Sequence, residues 1–149
     1  MAGGFSVKIE GLKELEAALG ELSRATSKRI VGQVLMEVAE PLAADAAILA
    51  PDDPATGGFD LHTTVRAGRK ATRGAKHRKE SPVEVLIGPR SRHAQLMEFG
   101  TKDVSAQPFM RPMWDGGKLW ALAEIQKQLW ARIEKAAARA ARKAARAGR

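Results

Sequence analysis

The adjacent carboxylates Asp52 and Asp53 have the chemistry to hold a divalent cation, since hard cations take oxygen ligands. They stand, however, in Asp52-Asp53-Pro54-Ala55-Thr56-Gly57-Gly58, a turn-rich stretch where Asp ordinarily shapes and caps the chain. A nuclease-like set would need a further carboxylate with lysine close behind it, and Glu84-Val85-Leu86 has none. His62, His77 and His93 show no metal-ligand spacing and read as surface side chains. Gly116-Gly117-Lys118 looks like the end of a phosphate loop. It lacks the earlier glycine, the following Ser or Thr and a preceding strand, so it reads as a flexible start to a helix. The chain has no cysteine, which excludes a disulfide framework, a thiolate zinc site and a cysteine nucleophile. Neither G-x-S-x-G nor H-E-x-x-H occurs. The residues therefore point away from an enzyme and call for no metal or cofactor.

What the chain does offer is positive charge in two places. It has 149 residues and a net charge of +8, with a pI near 10.2. Arg66, Arg69, Lys70, Arg73, Lys76, Arg78 and Lys79 fall in one acid-free segment. Residues 132–149 add seven cations, among them Arg139, Arg142, Lys143 and Arg146, against Glu134 alone. The two segments hold +13, which leaves the body at −5. Such appendages suit DNA phosphates, an acidic protein surface or solvent. Neither interleaves aromatics with its cations, so no platform for stacking bases is expected. The stretch from Val38 to Ala50 is broken by Glu40, Pro41 and Asp45, so no membrane span is expected. The opening Met1-Ala2-Gly3-Gly4 carries no signal-peptide pattern.

The elements that would position these residues follow from periodicity. Phe5, Val7 and Ile9 alternate with polar residues as a short strand. Leu12, Leu15, Leu19 and Leu22 follow a helical period, and Ile30, Val34, Val38, Leu42 and Leu49 form one stripe of a longer helix over 28–49. Pro41 predicts a kink or local break there. Alternation at Leu61, Thr63, Val65 and Ala67, and again at Val83, Val85 and Ile87, predicts two strands around an exposed basic loop, an extended hairpin. His93 to Phe99 predicts a short helix or turn. Pro108 and Pro112 predict a docked, non-helical stretch, with helix resuming at Trp114. That last helix thins from Leu and Ile to Ala as its arginines thicken, so its end should project or fray. Trp114, Trp120 and Trp130 lie near its apolar stripe, where they would pin it to the body or else make a subunit contact.

Several of these pieces, in this order, resemble a known family. They are Val7-Lys8-Ile9-Glu10-Gly11-Leu12-Lys13-Glu14-Leu15, a long helix ending in Ala50-Pro51, Thr56-Gly57, and a strand ending in Ile87-Gly88. Most specific are Glu98-Phe99-Gly100-Thr101 and, shortly after, Gln107-Pro108-Phe109-Met110-Arg111-Pro112. The layout over roughly residues 5–130 resembles the head–tail joining, tail-completion and tail-component proteins of lambdoid-type siphoviruses and prophages. It departs at Gly58-Phe59-Asp60-Leu61-His62-Thr63, where the family usually shows Leu and then Ser, and in its longer basic tail. The corner itself has a structural reading. Phe99 and Phe109 would plug the core, Gly100 would permit a tight turn, and the prolines would lock the chain. Glu98 would satisfy backbone amides or pair with Arg111.

The expected fold is α+β: a small, mostly antiparallel sheet packed on a long kinked helix, plus a long C-terminal helix. One domain over residues 1–131 would carry a basic helical extension over 132–149. The resemblance implies a virion structural protein of the neck, assembled in the host cytoplasm as a ring, six-fold as such tails are. Its partners would be itself, the head connector or stopper, and tail-tube or tail-terminator proteins, with non-specific contact to packaged DNA through the basic loop or tail and no membrane. The alternative is a small basic cytoplasmic nucleic-acid-binding protein using the same segments.

Overall fold

Gly11 adopts a left-handed backbone (φ +82°), a conformation that costs glycine little, and turns the chain into helix α1 (Leu12–Gly20). The computed structural model describes residues 11–52, 60–70 and 77–148; the strand expected at Phe5, Val7 and Ile9 lies outside them. Helix α2 spans Arg24–Leu49 and begins four residues before the expected start at Lys28. Its start is set by Ser23, whose hydroxyl oxygen accepts from the Thr26 amide at 3.3 Å, while the Ser27 hydroxyl donates to the Leu19 carbonyl at 2.8 Å. A polar side chain at the N-cap satisfies a donor that the helix cannot.

Helix α2 continues through Pro41 without the break that proline allowed. Pro41 is exposed, so its ring and its missing donor fall on the solvent side. The opposite face packs Ile30, Val34, Val38, Leu42 and Ala46, all buried. Against it lies helix α5, Met110–Ala147, burying Met113, Ala121, Leu129 and Ile133. The two run antiparallel. Arg132 holds Gln33 and Glu37 near one end, and Gly117 meets Leu42 toward the other. A Cβ on Gly117 would stand 2.5 Å from the Leu42 side chain, so the glycine permits the close approach. Helix α1 completes the layer through buried Leu15.

The sheet is smaller than the alternation predicts. Residues Leu61–Thr64 form a helical turn, α3, where a strand was expected. The Thr63 and Thr64 hydroxyls donate to the Asp60 and Leu61 carbonyls at 2.8 and 2.7 Å, a local satisfaction that competes with a ladder. Strand β1 (Val65–Gly68) pairs antiparallel with β2 (Leu86–Pro89), Val65 opposite Pro89 and Gly68 opposite Leu86. Val83 and Val85 precede β2 rather than belong to it. A short helix α4, His93–Phe99, follows. The fold is α+β, mostly helical, with one two-stranded antiparallel sheet on α2. Among the described residues no helix is long and apolar enough to cross a membrane.

Candidate functional site

The corner between α4 and α5 is organised by one carboxylate. Glu98 is 6% exposed and lies in the last turn of α4. Its Oε2 accepts from the Phe109 and Met110 amides at 2.8 and 3.0 Å. Its Oε1 accepts from the Arg111 amide and the Arg111 guanidinium, both at 3.1 Å. The Arg111 guanidinium also donates to the Glu98 carbonyl at 2.8 Å. These three amides belong to the N-cap and first two residues of α5, whose donors have no partner inside the helix. The next residue is Pro112, which has no donor to satisfy, and the Met113 amide reaches the Phe109 carbonyl at 3.3 Å. Every donor of the helix start is therefore accounted for, and a negative charge sits at the positive end of the macrodipole. Burial pushes the Glu98 carboxyl up, but the amides of Phe109, Met110 and Arg111 and the Arg111 guanidinium outweigh it and hold it below the ordinary value. This is why α5 begins at Met110, inside the stretch expected to be non-helical.

Gly100 closes α4 with φ +76°, and a Cβ there would meet the Ala106 amide nitrogen at 2.8 Å. The loop behind it is self-bonded. The Thr101 amide donates to the Val104 carbonyl at 2.8 Å, the Thr101 hydroxyl accepts from the Asp103 and Val104 amides, and the Gln107 amide donates to the Met97 carbonyl at 2.7 Å. Phe109 is fully buried, as a core plug should be. Phe99 is not a plug: it is 65% exposed, with the Arg111 guanidinium 5.2 Å from its ring centre. Pro108 and Pro112 are exposed at the edges of the corner.

Around the corner the surface is apolar. A groove of about 390 Å³ lies between α2 and α5, lined by Ile48, Leu49, Pro112, Met113 and Trp120, with Asp45 at its rim. A second, of about 440 Å³, lies between β2 and α5, lined by Leu86, Ile87, Met110, Met113 and Trp114. Ile48 is 81% exposed, Trp114 52% and Trp120 46%. Trp130 packs against the core, while Trp114 and Trp120 stand half-exposed at the two grooves. Sequence reading had no signal for Ile48 and Leu49, whose period places Leu49 on the core stripe.

The basic segments lie elsewhere. Arg66 is exposed on β1, Arg69 and Lys70 follow it, and Arg78 and Lys79 are exposed; Arg73 and Lys76 lie outside the described residues. Beside α2, the Arg69 guanidinium and Val83 cover Gly32. The His77 ring stands 2.8 Å from Glu84 Oε2. That contact, with the Ser81 and Glu80 amides on Oε1, lowers the Glu84 carboxyl to about 2. Arg139, Arg142, Lys143 and Arg146 are exposed along the end of α5.

One grouping escaped the sequence because a loop separates its members. Asp52, Asp60 and His62 bring their ligand atoms within 4.8 Å of one another. Asp52 is exposed and the other two are half-exposed, so the trio has neither the enclosure nor, among the described residues, the fourth side chain that a resident metal centre would require.

No curated protein and no solved structure matches the chain. A family model does, over residues 13–100, which is more than half of the 149 residues. Its span takes in α1, α2, the sheet and α4 up to Glu98-Phe99-Gly100, and stops before the helix that Glu98 caps. The chain belongs to the HK97-gp10-like family, described as "Bacteriophage HK97-gp10, putative tail-component".

Proposed function

We propose that this tail-component protein is a non-catalytic structural subunit of the head–tail junction, which completes the tail or joins it to the head connector. The subunits assemble in the host cytoplasm as a closed homo-oligomeric ring in the virion neck, with six copies matching the tail. The observation that carries this reading is the apolar surface around the Glu98 corner. Trp114 and Trp120 stand half-exposed beside two grooves on a scaffold rigid enough to present them in a fixed geometry. Exposed apolar patches of this kind mark protein interfaces, and aromatic anchors seated beside pockets dominate interface energies. Repetition of one heterologous contact generates a ring when its rotation closes. Phe99, stacked under Arg111 at the same corner, adds an aromatic–cation pair of the kind found at interface centres.

The test is a particle made without the gene, complemented with wild type or with Trp114→Ala/Trp120→Ala. Wild type should restore joined heads and tails. The double variant, folded as judged by circular dichroism, should leave heads and tails separate in electron micrographs. Normal joined particles in the absence of the polypeptide would overturn the reading.

A further inference from the structure

Arg132, Lys135, Arg139, Arg142, Lys143 and Arg146 share one side of α5. At 100° per residue they fall within an arc of about 100°, while Ala137, Ala138, Ala140, Ala141, Ala144 and Ala145 occupy the rest of the circumference. The helix leaves the body here. Ile133 is its last buried residue and Ala136 the last to pack on the core, yet it remains helical to Ala147. Alanine and arginine are strong helix formers, which lets the segment persist without packing. Arg132 is engaged by Glu37 and Gln33. The other five cations are exposed, and among the described residues no acid pairs with them.

We propose that this comb of cations at the end of α5 binds double-stranded DNA through its phosphates, without reading sequence. From Arg132 to Arg146 the comb is about 21 Å long, a length over which a duplex presents roughly a dozen phosphate charges. Like charges three and four residues apart repel one another along a helix, and a polyanion laid along the ridge removes that repulsion. Four of the six are arginines, whose planar fork matches a phosphate. An acidic protein is the poorer fit, because the flanks are alanine and offer no aromatic or large aliphatic anchor. Single strands fit less well too, since stacking on bases needs aromatics. The inference concerns α5 alone and holds whether or not the neck reading does.

The experiment is fluorescence anisotropy of the full chain with a labelled 20-base-pair duplex across a sodium chloride series. Wild type should bind two unrelated duplexes within threefold, with log K falling against log salt at a slope near −4.5, about 0.9 for each of five phosphates. Arg139→Ala/Arg142→Ala/Lys143→Ala/Arg146→Ala should bind at least tenfold more weakly at 50 mM salt, with a slope near −1 and an unchanged melting temperature. Arg69→Ala/Arg78→Ala/Lys79→Ala, in the hairpin loop, should keep the wild-type affinity within threefold. An unchanged slope in the tail variant, loss confined to the loop variant, tighter binding of oligothymidylate than of duplex, or displacement of the duplex by polyglutamate at equal charge would each overturn the proposal. DNA binding is read here without particles, and particle joining without a DNA assay, so the two readings fail separately.

Discussion

Glu98 does at one position what helix starts usually ask of several residues. Its two oxygens take three backbone amides and a guanidinium, so truncation strands buried donors rather than merely losing contacts. Glu98→Ala should cost about 2–4 kcal/mol in urea unfolding, and Glu98→Gln less. Because the folded carboxyl titrates below its ordinary value, its contribution is complete above about pH 4.3 and is lost as the pH falls through the depressed folded value. The stability of Glu98→Gln should therefore depend less on pH in that acid window than wild type does. The two phenylalanines of the corner separate cleanly. Phe109→Ala should cost about 3–5 kcal/mol, as expected for a filled core site, whereas Phe99→Ala should change stability by no more than about 0.5 kcal/mol. At the loop base, Glu84 should titrate near 2 by NMR, and His77→Ala should move it back toward the usual carboxylate range.

Among the elements, α2 and α5 set the fold through one antiparallel contact, and their irregular residues are placed where they do least harm. Gly117 lies directly against the Leu42 side chain of α2. Pro41 lies on the solvent side of α2, where it removes the donor that would reach Glu37. Pro41→Ala restores that donor and relieves the ring's crowding of the preceding turn, so it should stabilise the chain by about 1–3 kcal/mol in thermal melts. A loss of stability would mean that the helix depends on a bend at that residue. The two-stranded sheet is short because Thr63 and Thr64 bond to their own backbone. It adds Val65 to the core, with Ala67 and Ile87 packed beside it on α2.

For the molecule as a whole, the parts divide the work. The core ends at Ala136, the apolar grooves surround the start of α5, and the cation comb occupies its end. Deleting residues 137–149 should leave the melting temperature within a degree or two, since none of the described residues there packs on the core. On the proposed readings, separating grooves from comb along one helix would allow subunit association and DNA contact to vary independently. Sedimentation should show Trp114→Ala/Trp120→Ala impaired in self-association or partner-dependent assembly, with DNA binding intact.

Local periodicity was enough to reveal α1, the core stripe of α2 except Leu49, two paired strands, a short helix or turn at His93–Phe99 and the thinning of α5. Each of these depends on which residues recur on one face, and that information is contained in consecutive positions. Glu98-Phe99-Gly100 and Gln107-Pro108-Phe109 stand close enough in the chain to be read as one corner, and these motifs, in order with the earlier pieces, carried the resemblance to the family. Composition could not say which phenylalanine goes inside, because both sit in irregular segments of similar character and burial depends on the surface each one meets. Nor could it show that one carboxylate would start a helix eleven to thirteen residues away, that Trp114 and Trp120 would stand half-exposed beside grooves, or that Asp52 would meet Asp60 and His62. Those outcomes rest on how the chain returns on itself, from α4 to the start of α5, from α2 to α5, and from Asp52 to Asp60 and His62, and no run of consecutive positions records those distances.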